Sequence, residues 1–237
     1  MMRSLISLLL FGLFLRSSTA FPELKIAPDP YHVKQPTKFA YVLLHYEGTP
    51  KDEEYVLGSR VLIHSLRLSG TKQDIVVLVS HNVRETTRAA FRTLGAIVRE
   101  VTNIPNPYKE AETKRRTWKR RFEFTFNKFY LWYLVEYTRV IYLDADNLVL
   151  RNMDELFMCG HFCAVYFNPV KFHTGLMVVR PNREVFEDTV DALVTLRIYS
   201  YDGADQGFLT EMYPNLLKAP LFQHDQPNTD GSALGME

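Results

Sequence analysis

Cysteine is nearly absent: the 237 residues include only Cys159 and Cys163. A single bridge cannot staple a chain this long, which excludes a disulfide scaffold. The pair, with His161 between them, could bind a metal, but two small core residues or one local disulfide in an oxidising compartment is the plainer reading. Net charge is absent too. Lys plus Arg total 28 against 27 Asp plus Glu, so bulk charge names no nucleic-acid or acidic partner. No Asn-x-Ser/Thr sequon occurs, and there are no internal repeats. After residue 20 no apolar run is long enough to span a bilayer.

Before residue 20 there is one shorter run. Arg3 precedes an apolar stretch from Leu5 to Leu15, broken by Ser7 and Gly12, and Ser18-Thr19-Ala20 follows. Residues 1–20 read as a secretory signal peptide, with an uncleaved anchor as the alternative. Residues 21–37 carry four prolines and read as a linker. From 38 to 222 the pattern becomes regular. "FAYVLLHY" (39–46), "DIVVLVS" (74–80), "GAIVREV" (95–101), 140–143, "FCAVYF" (162–167) and "LMVVRP" (176–181) have strand length and composition. Helical segments are expected at 55–68, 83–94, 124–137 and 182–196, the last capped by Asn182, with a short helix after Asn152 and another in 202–213. Helices alternating with apolar strands predict an α/β domain with a mostly parallel sheet covered on both faces. Residues 223–237 read as a loop-like tail.

Two features carry chemistry. In "VIYLDADNLVL" an apolar strand delivers Asp144 and Asp146 one residue apart. Side chains two apart on an extended segment point the same way, and in a tight loop they can flank one point. Two close carboxylates repel unless a cation lies between them. Carboxylate oxygens suit Mg²⁺ or Mn²⁺, which complete their shells with phosphate and water. The second feature is Lys128, which falls among apolar residues of the 124–137 segment. Either its stem lies on apolar surface with the ammonium in water, or it meets a buried anion. A basic cluster, "TKRRTWKRRF" (113–122), is a solvated loop or a rim that attracts an anionic substrate. Three functions fit these features: a metal-dependent transferase with a nucleotide-diphosphate donor, a haloacid-dehalogenase-type phosphohydrolase with Asp144 as nucleophile, or a binding module without chemistry. The phosphohydrolase expects its motif near the domain start, whereas at least three strands precede Asp144 here.

The stretches "YVLGSRVLIHSL", "DIVVLVS", "NKFYLWYLVEYTRVIYLDADNLVLRNMDELF", "CGHFCAVYFNP", "FHTGLMVVRP" and "DGADQGFL", in that order over residues 39–221, resemble glycosyltransferase family 8. This is the glycogenin-like group, and the likeness is greatest to its plant starch-initiation and glucuronosyltransferase branch. The resemblance implies a GT-A, Rossmann-like fold. It also implies retaining transfer of a hexosyl or glucuronosyl group from a UDP-sugar, dependent on Mn²⁺ with Mg²⁺ as the alternative, in the secretory pathway and the Golgi lumen. By resemblance Asp144 and Asp146 hold the metal, with Ala145 between them beside the donor. Leu44, Tyr46 and Tyr55 hold uridine, Lys128 and Arg121 face the donor phosphates, and His173 and Thr174 contact the sugar. Asp202, Asp205 and Gln206 surround the reacting carbon. On this reading, loss of Lys128 weakens donor binding more than folding. The family's third metal ligand, a histidine in a His-x-x-Gly-x-x-Lys-Pro-Trp-like motif, has no counterpart: His224 is the only histidine after Gln206. The expectation is therefore a truncated chain, inactive alone, or a metal held by two carboxylates and water. Membrane association would come from an uncleaved N-terminus or a missing C-terminal segment. The acceptor is not readable.

Overall fold

The computed structural model describes residues 38–109, 122–168 and 171–223. The signal peptide, the linker, nearly all of the basic cluster with Arg121, and the tail with His224 lie outside the described residues.

The apolar runs form six strands: β1 (Phe39–His45), β2 (Asp74–Ser80), β3 (Ile97–Val101), β4 (Arg139–Leu143), β5 (Phe162–Asn168) and β6 (Lys171–Val179). They make one sheet in the order β3-β2-β1-β4-β6-β5. β1 pairs in parallel with β2 and β4, and β2 with β3; β6 runs antiparallel to both β4 and β5. The expected mostly parallel sheet is thus present, with an antiparallel flank. The helices are α1 (Asp52–Leu68), α2 (Glu85–Thr93), α3 (Tyr130–Tyr133), α4 (Arg183–Val194) and α5 (Asp205–Met212). Among the described residues no helix is long and apolar enough to cross a membrane.

Successive strand residues serve opposite faces. Ala40, Val42 and Leu44 join the segment around Phe126, Phe129 and Trp132, together with α4 and α5. Tyr41 and Leu43 join Leu62, Ile63 and Leu66 of α1 and Phe91 of α2. With both faces covered, the strands read as continuous apolar runs. Asn182 caps α4 as expected, its Oδ1 accepting from the Glu184 and Val185 amides. Cys159 and Cys163 are disulfide-bonded across the turn that enters β5.

One expected helix is corrected. Residues 124–137 do not form a continuous helix. A 3₁₀ segment, Thr125–Phe129, runs into the single turn of α3, and Leu134 leaves helical geometry. All five residues of the 3₁₀ segment are buried. The aromatic pattern therefore does not mark one buried face of an α-helix. The backbone turns tightly because partners surround it: Asn127 accepts from the Ile104 amide and donates to Asn103, while Phe126 and Phe129 pack on Phe208. Lys128 sits inside this buried turn, 6% exposed.

From β1 the sheet order runs to β2 and β3 on one side and to β4 on the other. The carboxyl ends of β1 and β4 therefore flank the topological switch point, where ligands of such sheets bind. β6 pairs with β4 only up to Leu143↔Leu176, so residues 171–175 project past that sheet edge.

Candidate active site

A cleft of about 380 Å³ opens at the switch point. It is lined by Leu44 and His45 at the end of β1 and Tyr46 just after it, Tyr55 of α1, Asp144 to Asp146 after β4, His173 and Thr174 of β6, Asp202 and Ala204 just before α5, and Asp205 and Gln206 at its start. Lys128 and Tyr142 also contribute to its wall. The structure therefore gathers every sequence-predicted site residue except Arg121, which is outside the described residues.

The carboxylate turn is held from both sides. The Asp144 amide donates to the Gly175 carbonyl at 2.9 Å, and the Asn147 amide to the Asp144 carbonyl at 3.0 Å. Asn147 Nδ2 donates to the same Gly175 oxygen at 2.7 Å. A Cβ on Gly175 would stand 2.4 Å from His173 Cε1 and 2.9 Å from Asp144 Oδ2, and one on Gly58 would stand 2.6 Å from the Ala145 carbonyl oxygen. Glycine at both positions lets β6 and α1 close on the turn. Asp144 and Asp146 therefore flank the cleft from a turn rather than an extended strand.

Their environments differ. Asp144 Oδ1 accepts from Tyr142 Oη at 2.7 Å and pairs with Lys128 Nζ at 3.0 Å. Asp146 is exposed. It makes no hydrogen bond or ion pair among the described residues. Lys128 does not reach water with its ammonium: it also donates to Asp205 Oδ2 at 2.7 Å. Thr174 Oγ1 donates to that same oxygen at 2.7 Å. Burial disfavours the Lys128 ammonium, but the carboxylates of Asp144 and Asp205 outweigh it and hold the ammonium above its ordinary range. Burial lifts the Asp205 carboxyl above the usual carboxylate range, against the opposing pull of Lys128. Burial and the adjacent Asp144 push the Tyr142 phenol up, so it stays a hydrogen-bond donor. His45 at the cleft floor is lowered to about 4, chiefly by burial, and is neutral at pH 7.

The start of α5 is organised by Asp202. Its Oδ1 accepts from Ser200 Oγ at 2.8 Å and from the Ala204 and Gly207 amides, each at 3.0 Å. Asp202 thus braces the loop that presents Asp205 and Gln206. Gln206 Nε2 donates to Tyr201 Oη at 3.1 Å. Tyr46 packs edge-on against Phe124.

Sequence reasoning missed Tyr142, whose hydroxyl orients Asp144. It lies two residues before Asp144, so strand alternation was the available signal. It also missed His45, hidden by its place at the end of an apolar run, and Thr125, in the misread helix.

Among the described residues no group of three His, Cys, Asp or Glu side chains could hold a metal. The donors on offer are the carboxylates of Asp144 and Asp146. Hard oxygen donors of this kind fit Mg²⁺ or Mn²⁺ when substrate phosphate and water complete the shell.

Fold and site define a GT-A glycosyltransferase domain. The structure of an active-site mutant of LgtC is similar at a TM-score of 0.54 and 17% identity, covering 73% of this chain and 69% of that one. The chain belongs to glycosyl transferase family 8, whose model matches residues 34–163. PGSIP8 of Arabidopsis thaliana is 45% identical over 198 residues, 83% of this chain and 38% of that protein. Inositol phosphorylceramide glucuronosyltransferase 1 of the same plant is 35% identical over 186 residues, 78% of this chain and 32% of that protein. The chain thus spans less than two fifths of the length of these relatives.

Proposed function

We propose that this chain is the nucleotide-sugar domain of a retaining glycosyltransferase. It takes a glucuronosyl or hexosyl group from a UDP-sugar with the help of Mn²⁺, or Mg²⁺ in its place, and passes it to an acceptor in the secretory pathway, in the Golgi lumen. The observation that carries this reading is the charge of the cleft. Its described lining holds four aspartates and one lysine, and that lysine is already paired with two of the aspartates. Such a surface repels a diphosphate unless a divalent cation joins them.

When bound, the cation neutralises charge on the departing diphosphate. The chain's own residues do the rest. Asp144 and Asp146 supply its protein oxygens, and Tyr142 and Lys128 fix the rotamer of Asp144. Tyr46, Tyr55 and Leu44 offer an aromatic and apolar surface for uridine. Asp205 and Gln206 face the sugar. Asp205 Oδ2 already accepts from Lys128 and Thr174, which quenches its nucleophilicity. This supports departure and attack on one face of the sugar, without a covalent intermediate. The family membership leaves the phosphohydrolase reading without support.

The test is UDP-sugar hydrolysis with and without Mn²⁺, on the wild type and on Asp144→Asn/Asp146→Asn. Turnover that needs both the metal and the carboxylates is expected. Equal turnover in every condition would sink the metal assignment, and UDP binding without turnover would identify a non-catalytic module.

A further inference from the structure

The cleft raises a question of selectivity. A sugar that carries a carboxylate is repelled by the aspartates that line it, and the buried Lys128 is committed to two of them. Some other cation must offset that repulsion if such a donor is to bind.

Among the described residues one lysine without a carboxylate partner stands outside the cleft lining but is linked to it through a single tyrosine. Lys171 opens β6, in the part of the strand that projects past β4. Burial alternates from Lys171 to Thr174: Phe172 and Thr174 are buried, while Lys171 is half-buried and His173 exposed. Lys171 therefore shares a strand side with His173, which lines the cleft. Its Nζ lies 3.8 Å from the centroid of the Tyr201 ring. The hydroxyl of that ring holds Gln206, which also lines the cleft, at 3.1 Å. An aromatic face positions an ammonium without cancelling its charge. Lys171, Tyr201 and Gln206 thus form a chain that runs from an ammonium without a carboxylate partner among the described residues to Gln206 in the cleft lining.

We propose that Lys171 is a specificity-determining residue that selects a donor whose sugar carries a carboxylate over its neutral counterpart. This rests on the nucleotide-sugar reading of the cleft. The ammonium donates to the carboxylate from its perch on Tyr201, and a neutral hexose gains nothing from it. A charge-assisted hydrogen bond of this kind corresponds to about a tenfold preference or more.

The experiment measures kcat/KM for hydrolysis of UDP-glucuronate and of UDP-glucose without acceptor, in Mn²⁺, together with the affinity of each. Wild type should favour UDP-glucuronate. Lys171→Met should lower the ratio of the two kcat/KM values about tenfold, with the change in KM, and Lys171→Arg should restore it. An unchanged ratio in Lys171→Met, or equal loss on both donors, overturns the assignment. The function reading survives both of those results. If wild type binds neither UDP-sugar, that reading fails and this assignment fails with it.

Discussion

Two acidic loops face each other across the cleft, and they use the same residue type in opposite ways. In the turn after β4, Asp146 is exposed and without a partner among the described residues, and the Asp144 side chain is 30% exposed. In the loop before α5, Asp202 is consumed by local hydrogen bonds, and the Asp205 side chain is 6% exposed and tied to Lys128 and Thr174. Burial decides the difference. A carboxylate out of water must be paired inside the protein, whereas one at the rim keeps its oxygens for a ligand. On the proposed function the first loop binds and the second holds geometry. Lys128 joins them, with one contact in each.

The largest effect tests that joint. Lys128→Met leaves Asp205 buried and unpaired, and should cost about 3–5 kcal/mol of stability, read from urea midpoints. The pH dependence follows from the raised Asp205 carboxyl. The native state holds its proton at higher pH than the unfolded chain does. The stability this confers is present below the unfolded carboxylate range and is lost as pH rises through the folded value. Lys128→Met should therefore regain stability on acidification from neutral pH. Adding Asp205→Asn should remove that gain, and a gain that persists would mean Asp205 is not its source.

A smaller effect probes the brace. A Cβ on Gly207 would lie 2.4 Å from Asp202 Oδ1 and 2.8 Å from the Tyr201 amide nitrogen. Gly207→Ala should cost about 1–3 kcal/mol. Gly160, where a Cβ meets nothing within 4 Å, is the control. Similar melting temperatures for Gly207→Ala and Gly160→Ala would show that the α5 loop yields freely. The smallest effect belongs to the binding loop: Asp146→Asn should change stability by no more than about 0.5 kcal/mol. A larger loss in denaturant titration would give Asp146 a structural role and erase the contrast.

Much of this was legible in the sequence, for physical reasons. Strands covered on both faces leave unbroken apolar runs, so β1, β2 and β4 stood out. The cap at Asn182 was equally plain. The start of β6 was not, because Lys171, His173, Thr174 and Gly175 interrupt the apolar run. Nor was the direction of β6, since a run of apolar residues carries no sense of parallel or antiparallel pairing. The 124–137 segment misled because an aromatic sequence buried all round mimics a helical stripe. Tertiary contacts, not local propensity, set its tight turn. At the site, the motif named Asp144, Asp146 and Lys128, but not that Lys128 would face Asp144 and Asp205. That pairing joins residues 77 apart in the chain, and only the fold brings them together.

The proposed function gives the carboxylates of the β4 turn the task of recruiting a cation for a diphosphate. Calorimetric titration of UDP, with and without Mn²⁺, tests it directly. Binding to wild type is expected only when Mn²⁺ is present, with loss of that binding in Asp144→Asn/Asp146→Asn. UDP binding of equal strength without the metal, or in the double variant, would contradict it.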